Sequence, residues 1–271
     1  MDYKIIVDSC CDLTPEIASE LEITTVPLFL RLGSREYVDD FALDLQEFMK
    51  EMSICTEGAG TAAPSPAAFT DAMNKDSFVV TVSSALSATY QNALLGAKKS
   101  IASIHVFDSK SASAGQTLIA IKLRELISDK IPKQQIVETV NGFIDNMKTY
   151  FVLEKFDNLI KNGRINAWKG KIANVLNIKL LCGSNSKGEI ALYAKARGTK
   201  QMLEKMLTFI SESGRITTGE NAVISHCNNP SLAEQLAGMI RERFDFKKVL
   251  VVPTRGTSSI YADDQGIILA F

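Results

Sequence analysis

The sequence predicts an α/β protein in which an N-terminal α/β/α domain on a parallel sheet is followed by a C-terminal α+β domain. First, 271 residues exceed the size at which one hydrophobic core usually keeps growing. Second, short apolar strands alternate with helical patterns up to about residue 147, which is typical of βαβ units. Third, a hairpin pattern ends the parallel order further on. We therefore predict domains over residues 1–150 and 151–271, with one large domain as the alternative.

The first half of the chain repeats the order strand, polar turn, helix three times. The strands are residues 5–7, 78–82 and 105–107, and the turns are Asp8-Ser9, Ser83-Ser84 and Asp108-Ser109. After the first turn, Thr14 is suited to cap a helix that begins at Pro15. Helical patterns follow the other two turns over residues 86–97 and, beyond a turn that ends near Gly115, 118–127.

Right-handed crossovers place these three polar turns at one edge of the parallel sheet, where the strands have their carboxyl ends. Ligands of open α/β sheets bind at that edge. Helix N-termini there present unpaired N–H groups and the positive end of a dipole. The expected ligand group is therefore an anion, either a phosphate or a carboxylate.

The second half of the chain has a different pattern. After a helix over residues 133–147, strand-like runs at 177–183 and 189–196 flank a predicted hairpin turn at 184–188. We predict further helices over residues 201–211 and 231–244, and further strands at 222–225 and 249–252. These elements complete the α+β domain.

Composition and charge exclude several classes of function. The chain is 46% hydrophobic and 23% charged, as ordinary globular proteins are, and its net charge is −1. It has no global attraction for phosphate backbones or anionic membranes, so nucleic acid is not an expected partner. The start of the sequence runs straight into a strand-like segment, so we expect no secretory leader, and no later apolar run approaches the length of a membrane span. We expect a cytoplasmic protein without stable membrane anchoring.

The five cysteines are an odd number and lack C-x-x-C spacing, which favours reduced structural thiols over disulfides or a zinc site. Cys10 and Cys11 follow a strand end, so a redox role stays open for them. His105 and His226, the only histidines, lie in or at the end of strand-like runs, away from any nucleophile signature. We therefore predict neither a catalytic residue nor a metal.

Two segments are candidates for ligand binding. Residues 57–66 read as a loop, in which Ser65 is suited to cap a helix that begins at Pro66. This loop matches neither the G-x-G-x-x-G fingerprint nor a P-loop. Residues 83–91 contain more hydroxyl groups than capping requires, so they serve either the turn itself or a carboxylate.

Two arginines also follow turn or strand patterns. Arg164 comes after Gly163, a glycine suited to end a helix, and can either point towards the first domain or lie on the surface. Arg197 stands with Lys195 at a predicted helix start. That pair is either a solvated patch or a surface for a partner.

In their order along the chain, these motifs resemble the DegV family over nearly the whole sequence. The matching motifs are Asp8-Ser9 with Asp12-Leu13, the Thr-x-x-Pro-Ser-Pro loop at 61–66, the Ser-rich run at 83–91, Asp108-Ser109 with Ser113 and Gly115, residues 159–165, Leu176-Asn177-Ile178-Lys179, and Lys195-Ala196-Arg197-Gly198. Each motif alone is common, but together they are specific to that family.

The resemblance implies a carrier that buries one long-chain fatty acid between its two domains, similar to the FakB-type subunit of fatty acid kinase. In such systems a separate kinase subunit phosphorylates the carboxylate, and the carrier needs no cofactor of its own. The family's carboxylate ligands correspond here to Thr61 and Ser87, with Ser84 adjacent and Arg164 near the site. Arg197 corresponds to a basic position used against the kinase.

The sequence also departs from the family pattern. Ala62-Ala63 stands where the loop usually has Ser-Gln, and Ala88 stands where glycine is usual. The family typically ends with His-x-Gly-Pro-Gly, and Ala262 stands at the position of that histidine. The alternative function is binding of another apolar anionic ligand without kinase coupling. An enzyme using the Ser-rich run would need a base that the sequence does not offer.

Overall fold

The computed structural model describes residues 3–165 and 178–271. Its strands are β1 (Lys4–Asp8), β2 (Ile23–Val26), β3 (Phe29–Leu32), β4 (Arg35–Val38), β5 (Ala59–Ala62), β6 (Ser77–Thr81), β7 (Ile104–Asp108), β8 (Thr149–Val152), β9 (Ile178–Ser184), β10 (Ile190–Arg197), β11 (Asn221–His226), β12 (Lys248–Pro253) and β13 (Ile267–Ala270). Its helices are α1 (Pro15–Glu20), α2 (Leu45–Ile54), α3 (Pro66–Ala72), α4 (Thr89–Ala97), α5 (Ala114–Ser128), α6 (Lys133–Asn146), α7 (Asp157–Lys161), α8 (Gly198–Glu212), α9 (Pro230–Arg243) and α10 (Gly256–Ala262).

A parallel sheet organises the first part of the chain, in the strand order β2-β1-β6-β7. Every residue of β6 is buried, as expected for a central strand covered by helices on both faces. The predicted caps are confirmed, since the Thr14 hydroxyl accepts from the N–H of Ile17 and the Ser65 hydroxyl accepts from that of Ala68. The predicted α/β class with a parallel N-terminal sheet is confirmed.

The prediction that residues 57–66 form only a loop is wrong. Residues 59–62 are strand β5, which pairs antiparallel with β3 in a small sheet of order β4-β3-β5. In this register Thr61 lies opposite Leu30. Small residues carry little β propensity, so the strand is specified by its partner β3, which the local sequence does not reveal.

A mixed sheet with the order β10-β9-β8-β13-β11-β12 occupies the second part of the chain. The predicted hairpin is confirmed, because β9 and β10 pair antiparallel across residues 185–189. Strands β11 and β12 are parallel to each other, and the other neighbours in this sheet are antiparallel. The α+β character of this half is therefore confirmed.

Helix α5 packs between the two larger sheets and is buried along most of its length. It begins at Ala114, four residues before the predicted start, so Gly115 lies within its first turn. A Cβ on Gly115 would lie 2.1 Å from Ser111 Oγ and 2.9 Å from Thr149 Oγ1. Only glycine therefore fits where the helix passes β8.

A hydrophobic cluster runs from the parallel sheet through α5 to the mixed sheet, including Ile5, Phe107, Leu118, Val223 and Ile268. The mixed sheet begins with Thr149 in β8, next to the boundary predicted from the sequence. Because this cluster is shared, the division into residues 1–150 and 151–271 stays a prediction.

Helix α4 begins at Thr89, three residues after the predicted start at 86. Residues 83–88 form turns instead, in which the N–H groups of Leu86 and Ser87 donate to the carbonyl of Ser83 at 2.9 and 3.1 Å. Strand β9 confirms the strand prediction from Ile178 onward. The Leu176-Asn177 part of its motif lies outside the described residues.

Candidate ligand-binding site

The three polar turns of the parallel sheet meet at one edge, as predicted. An oxygen of the Asp8 carboxylate accepts from the N–H of Val82 at 2.6 Å, and the N–H of Ser109 donates to the carbonyl of Thr81 at 3.2 Å. The N–H of Ser84 donates to Asp108 at 3.0 Å. Neighbouring parallel strands end side by side, which explains these contacts.

Three buried aspartates at this edge, Asp8, Asp12 and Asp39, form what we term the carboxylate cluster. Asp39 accepts from the N–H groups of Gly256 and Thr257 at 3.0 and 2.8 Å, and from the Thr257 hydroxyl at 2.6 Å. Asp12 accepts from the N–H of Arg255 at 2.7 Å. These bonds hold the N-terminus of α10 against the first part of the chain. The anion at this helix N-terminus is therefore a side chain of the protein.

Burial raises the pKa of all three carboxylates. Desolvation raises the pKa of Asp8 and of Asp12 to about 6, although hydrogen-bond donors around each one oppose the shift. Desolvation also raises the pKa of Asp39, against the donors of Thr257. The cluster thus keeps charged groups inside the protein only because donors surround them.

A cavity lies between the mixed sheet, the carboxyl-end edge of the parallel sheet and α10. Its volume is about 110 Å³. Much of its lining is apolar and includes Leu28, Val82, Leu86, Phe151, Leu153, Leu159, Ile190 and Ile268. Such a lining favours a ligand with a long apolar part.

The β9–β10 hairpin closes one wall of this cavity. The Ser83 hydroxyl donates to the carbonyl of Gly188 at 2.8 Å, so the hairpin turn contacts the edge of the parallel sheet. Gly188 has a φ of 76°, and a Cβ there would lie 2.2 Å from Ser83 Oγ. Glycine is therefore required both for the turn and for the close approach.

The polar residues that line the cavity include Thr61, Ser87, Arg164 and Tyr261, which we term the head-group cluster. The Thr61 and Tyr261 hydroxyls are hydrogen-bonded at 2.9 Å. The Arg164 guanidinium carbon lies 5.5 Å from the centre of the Tyr261 ring. Arg164 Nε also donates to the carbonyl of Leu86 at 3.1 Å, beside Ser87. The structure thus brings together three of the residues singled out in the sequence.

The turn after α7 determines the position of Arg164. Gly163 has a φ of 77°, and the N–H of Arg164 donates to the carbonyl of Leu159 at 2.8 Å. This left-handed glycine ends the helix as predicted and turns the chain back towards the cavity. Arg164 lines the cavity, and no carboxylate of the described residues forms an ion pair with it. Its positive charge is therefore available to an anionic ligand.

Two residues named from the sequence lie elsewhere. The Ser84 hydroxyl donates to the Asp108 carboxylate, and Ser84 is exposed and does not line the cavity. Arg197 is exposed at the start of α8, where its N–H donates to the side chain of Gln201. Neither residue contacts the head-group cluster.

Burial shifts the pKa of both histidines and of Cys10 and Cys11. Burial lowers the pKa of His105, whose ring lies 4.5 Å from that of Phe107, and burial also lowers the pKa of His226. Cys10 and Cys11 are free thiols whose pKa burial raises well above the usual value. Both therefore stay protonated at neutral pH and are poor nucleophiles. No cluster of His, Cys, Asp and Glu within the described part of the chain could hold a metal ion.

The sequence reasoning did not single out Tyr261 or Asp39. The sequence pointed instead to Ala262, which is buried and lines the cavity on α10. Tyr261 precedes it by one residue, and a tyrosine beside a missing polar group is a signal that could have been used. Asp39 gave no such signal, because its partners Gly256 and Thr257 are more than two hundred residues away.

A cavity whose lining is largely apolar, with hydroxyls and an arginine among its lining groups, is suited to a ligand with one polar end. The family model described as "Uncharacterised protein, DegV family" matches residues 2–269. The chain belongs to the DegV family. A DegV domain-containing protein of Streptococcus pneumoniae is 32% identical over 280 residues, covering 100% of this chain and 99% of that protein.

Solved structures of similar proteins contain fatty acids. A DegV family protein of Ruminococcus gnavus with vaccenic acid has a TM-score of 0.93 and 36% identity, with 99% of each chain covered. The Fatty Acid Kinase B3 protein of Streptococcus pneumoniae, loaded with linoleic acid, has a TM-score of 0.91 and 30% identity, with 100% of this chain and 99% of that one covered. A DegV family protein of Eubacterium eligens, loaded with heptadecanoic acid, has a TM-score of 0.89 and 26% identity, with 99% of each chain covered.

None of the helices in the described residues is both long enough and apolar enough to span a membrane.

Proposed function

We propose that this chain binds one long-chain fatty acid and presents its carboxylate to a separate kinase subunit for acyl-phosphate formation. The observation that carries the proposal is the head-group cluster at the lining of an otherwise largely apolar cavity. In this proposal Thr61 and Ser87 donate to the carboxylate, and Arg164 supplies the positive charge. The fatty acids held by the similar proteins of Ruminococcus gnavus and Streptococcus pneumoniae support it.

The apolar tail supplies most of the affinity. Burying a methylene is worth about 0.8 kcal/mol, so a sixteen-carbon chain can contribute roughly 12 kcal/mol before entropy and desolvation are subtracted. Phe151 in β8, Ile190 in β10 and Ile268 in β13 line the cavity and are suited to contact such a chain. The head group then needs only enough donors to avoid an unpaired buried charge.

The coupling to a kinase is supported by the likeness to the Fatty Acid Kinase B3 protein and by the absence of nucleotide-binding motifs from the sequence. In this proposal the chain is a carrier without catalytic residues or a cofactor of its own. Exposed Arg197, with exposed Lys195, is the proposed contact for the kinase subunit. Ser84 bonds Asp108 and does not line the cavity, so its proposed role is only to hold the turn that carries Ser87.

The alternative is a carrier for another apolar anion that does not serve a kinase. Ala262 favours it, because the family's histidine would lie beside the carboxylate at that position. Exchange of Ala262→His should leave fatty-acid binding intact and raise acyl-phosphate formation with a cognate kinase subunit. If the unchanged protein already equals a histidine-bearing family member in that assay, the histidine is dispensable or lies elsewhere in the alignment.

The first experiment is to denature the protein purified from a bacterial host and identify the extracted lipid by mass spectrometry. We expect about one fatty acid per chain. Recovery of only a non-lipid ligand would contradict the proposal. Calorimetry with ATP should show no saturable binding, and saturable binding would contradict the carrier role.

A further inference from the structure

We infer that Tyr261 is itself a hydrogen-bond donor to the ligand's carboxylate and helps the cavity select ionised acids over neutral lipids. This inference rests on the proposed function. It comes from three features of the described residues, which are the hydrogen-bonding capacity of the Thr61 and Tyr261 hydroxyls, the position of Arg164, and the way in which α10 is held.

The two hydroxyls have one proton more than their mutual bond uses. Each hydroxyl carries one proton, and the single bond of 2.9 Å between Thr61 Oγ1 and Tyr261 Oη consumes one of them. Neither oxygen has another hydrogen-bond partner among the described residues. Both side chains line the cavity. While the bond between them is kept, the pair can donate one bond to a ligand oxygen, and when a carboxylate replaces that bond, Thr61 and Tyr261 can each donate one.

The electrostatic surroundings keep Tyr261 a neutral donor. Burial raises the pKa of its phenol, against the hydrogen bond with Thr61 and the charge of Arg164. The Arg164 guanidinium lies over the ring at 5.5 Å. A carboxylate at the phenol oxygen therefore meets a donated proton and a nearby positive charge. A methyl ester gains less from both because it carries no charge.

The helix that carries Tyr261 is held by hydrogen bonds within the protein. Tyr261 lies in α10, whose N-terminus is held by the three bonds from Gly256 and Thr257 to Asp39. The side chain of Asn158 also donates to the carbonyl of Ile260 at 2.8 Å. A donor held in this way loses little conformational freedom on binding, so its bond to the ligand contributes more fully to affinity.

The test uses Tyr261→Phe, which keeps the ring beside Arg164 and removes only the phenol oxygen. Palmitate binding should weaken about 10- to 100-fold, because hydrogen bonds to charged groups are worth about 1.5–3 kcal/mol. Affinity for methyl palmitate should change less than about 2-fold, well below the effect on the acid. The carboxyl carbon resonance of carboxyl-¹³C palmitate should move between the two proteins. Tyr37→Phe, which removes a hydroxyl bonded to Glu51 outside the cavity, is the matched control and should change neither quantity.

A second variant background distinguishes a direct contact between Tyr261 and the ligand from an indirect effect in which Tyr261 only orients Thr61. In Thr61→Val protein, Tyr261→Phe should still weaken palmitate binding by several-fold if the phenol touches the ligand. No further loss in that background would overturn the inference, as would equal losses for the acid and the ester. If the wild-type protein binds palmitate and Tyr261→Phe leaves both affinity and resonance unchanged, the inference fails while the proposed function stands. If the wild-type protein binds no fatty acid, the proposed function itself fails.

Discussion

Two polar clusters lie close to the same helix, yet their hydrogen bonding differs. In the carboxylate cluster, Asp12 and Asp39 are fully buried and surrounded by donors of the protein. In the head-group cluster, Thr61 and Tyr261 bond mainly to each other and face a cavity. A polar group whose bonding is complete stabilises the fold, whereas one with spare donors beside an apolar cavity is suited to a ligand.

Substitutions in the two clusters should have different effects. Changes in the carboxylate cluster should lower the stability of the whole molecule, because they leave buried donors unpaired. Changes in the head-group cluster should alter binding and affect stability little. The following tests range from the largest expected effect to the smallest.

The largest effect is expected for Asp39→Ala. This change removes the acceptor of two N–H groups and one hydroxyl at the buried N-terminus of α10. We expect the free energy of unfolding to fall by about 3–5 kcal/mol in urea denaturation. Asp40→Ala, at an exposed neighbour, is the control and should cost less than about 1 kcal/mol. Similar losses for both variants would show that Asp39 does not hold α10.

The pH dependence of stability should report on Asp8 and Asp12. Their pKa is about 6 in the folded chain and about 4 when unfolded, so the folded state holds these protons more tightly. The free energy of unfolding should therefore fall as pH rises from about 4 to 6, by at most about 3 kcal/mol for each group. Asp12→Asn should remove roughly half of that slope in urea titrations at several pH values. An unchanged slope in this variant would exclude Asp12 as its source.

The head-group cluster should show an effect on binding instead. Thr61→Ala and Ser87→Ala should each cost on the order of 1.5–3 kcal/mol of fatty-acid affinity, because each removes a donor to a buried charge. Together they should barely change the affinity for the methyl ester of the same chain. Calorimetry with acid and ester gives the comparison. Equal losses for both ligands would show that these hydroxyls support the fold.

The smallest effect is expected for Arg197→Ala. Arg197 is exposed and lies away from the cavity lining, so both fatty-acid affinity and stability should change by less than about 0.5 kcal/mol. Acyl-phosphate formation with a cognate kinase subunit should nevertheless fall. If that rate is unaffected while the kinase is active on the chain, Arg197 is not the proposed contact.

The sequence predicted those features that depend on neighbouring residues. Alternating strands and helices indicated the parallel sheet, Thr14 and Ser65 capped helices through groups three residues away, and Gly163 ended α7. Boundaries were wrong where turns replaced a helix, as at residues 86–88 before α4. These local interactions are readable because their partners stand within a few residues of one another.

By itself, the sequence determined the α/β class, the meeting of three polar turns at one sheet edge, and the candidate residues Thr61, Ser87 and Arg164. Only the tertiary structure decided that residues 59–62 form a strand, that Ser84 bonds Asp108 instead of lining the cavity, and that Tyr261 reaches Thr61. The bond between Thr61 and Tyr261 joins residues 200 positions apart. A contact of that kind depends on how β5 and α10 pack, and no local propensity encodes it.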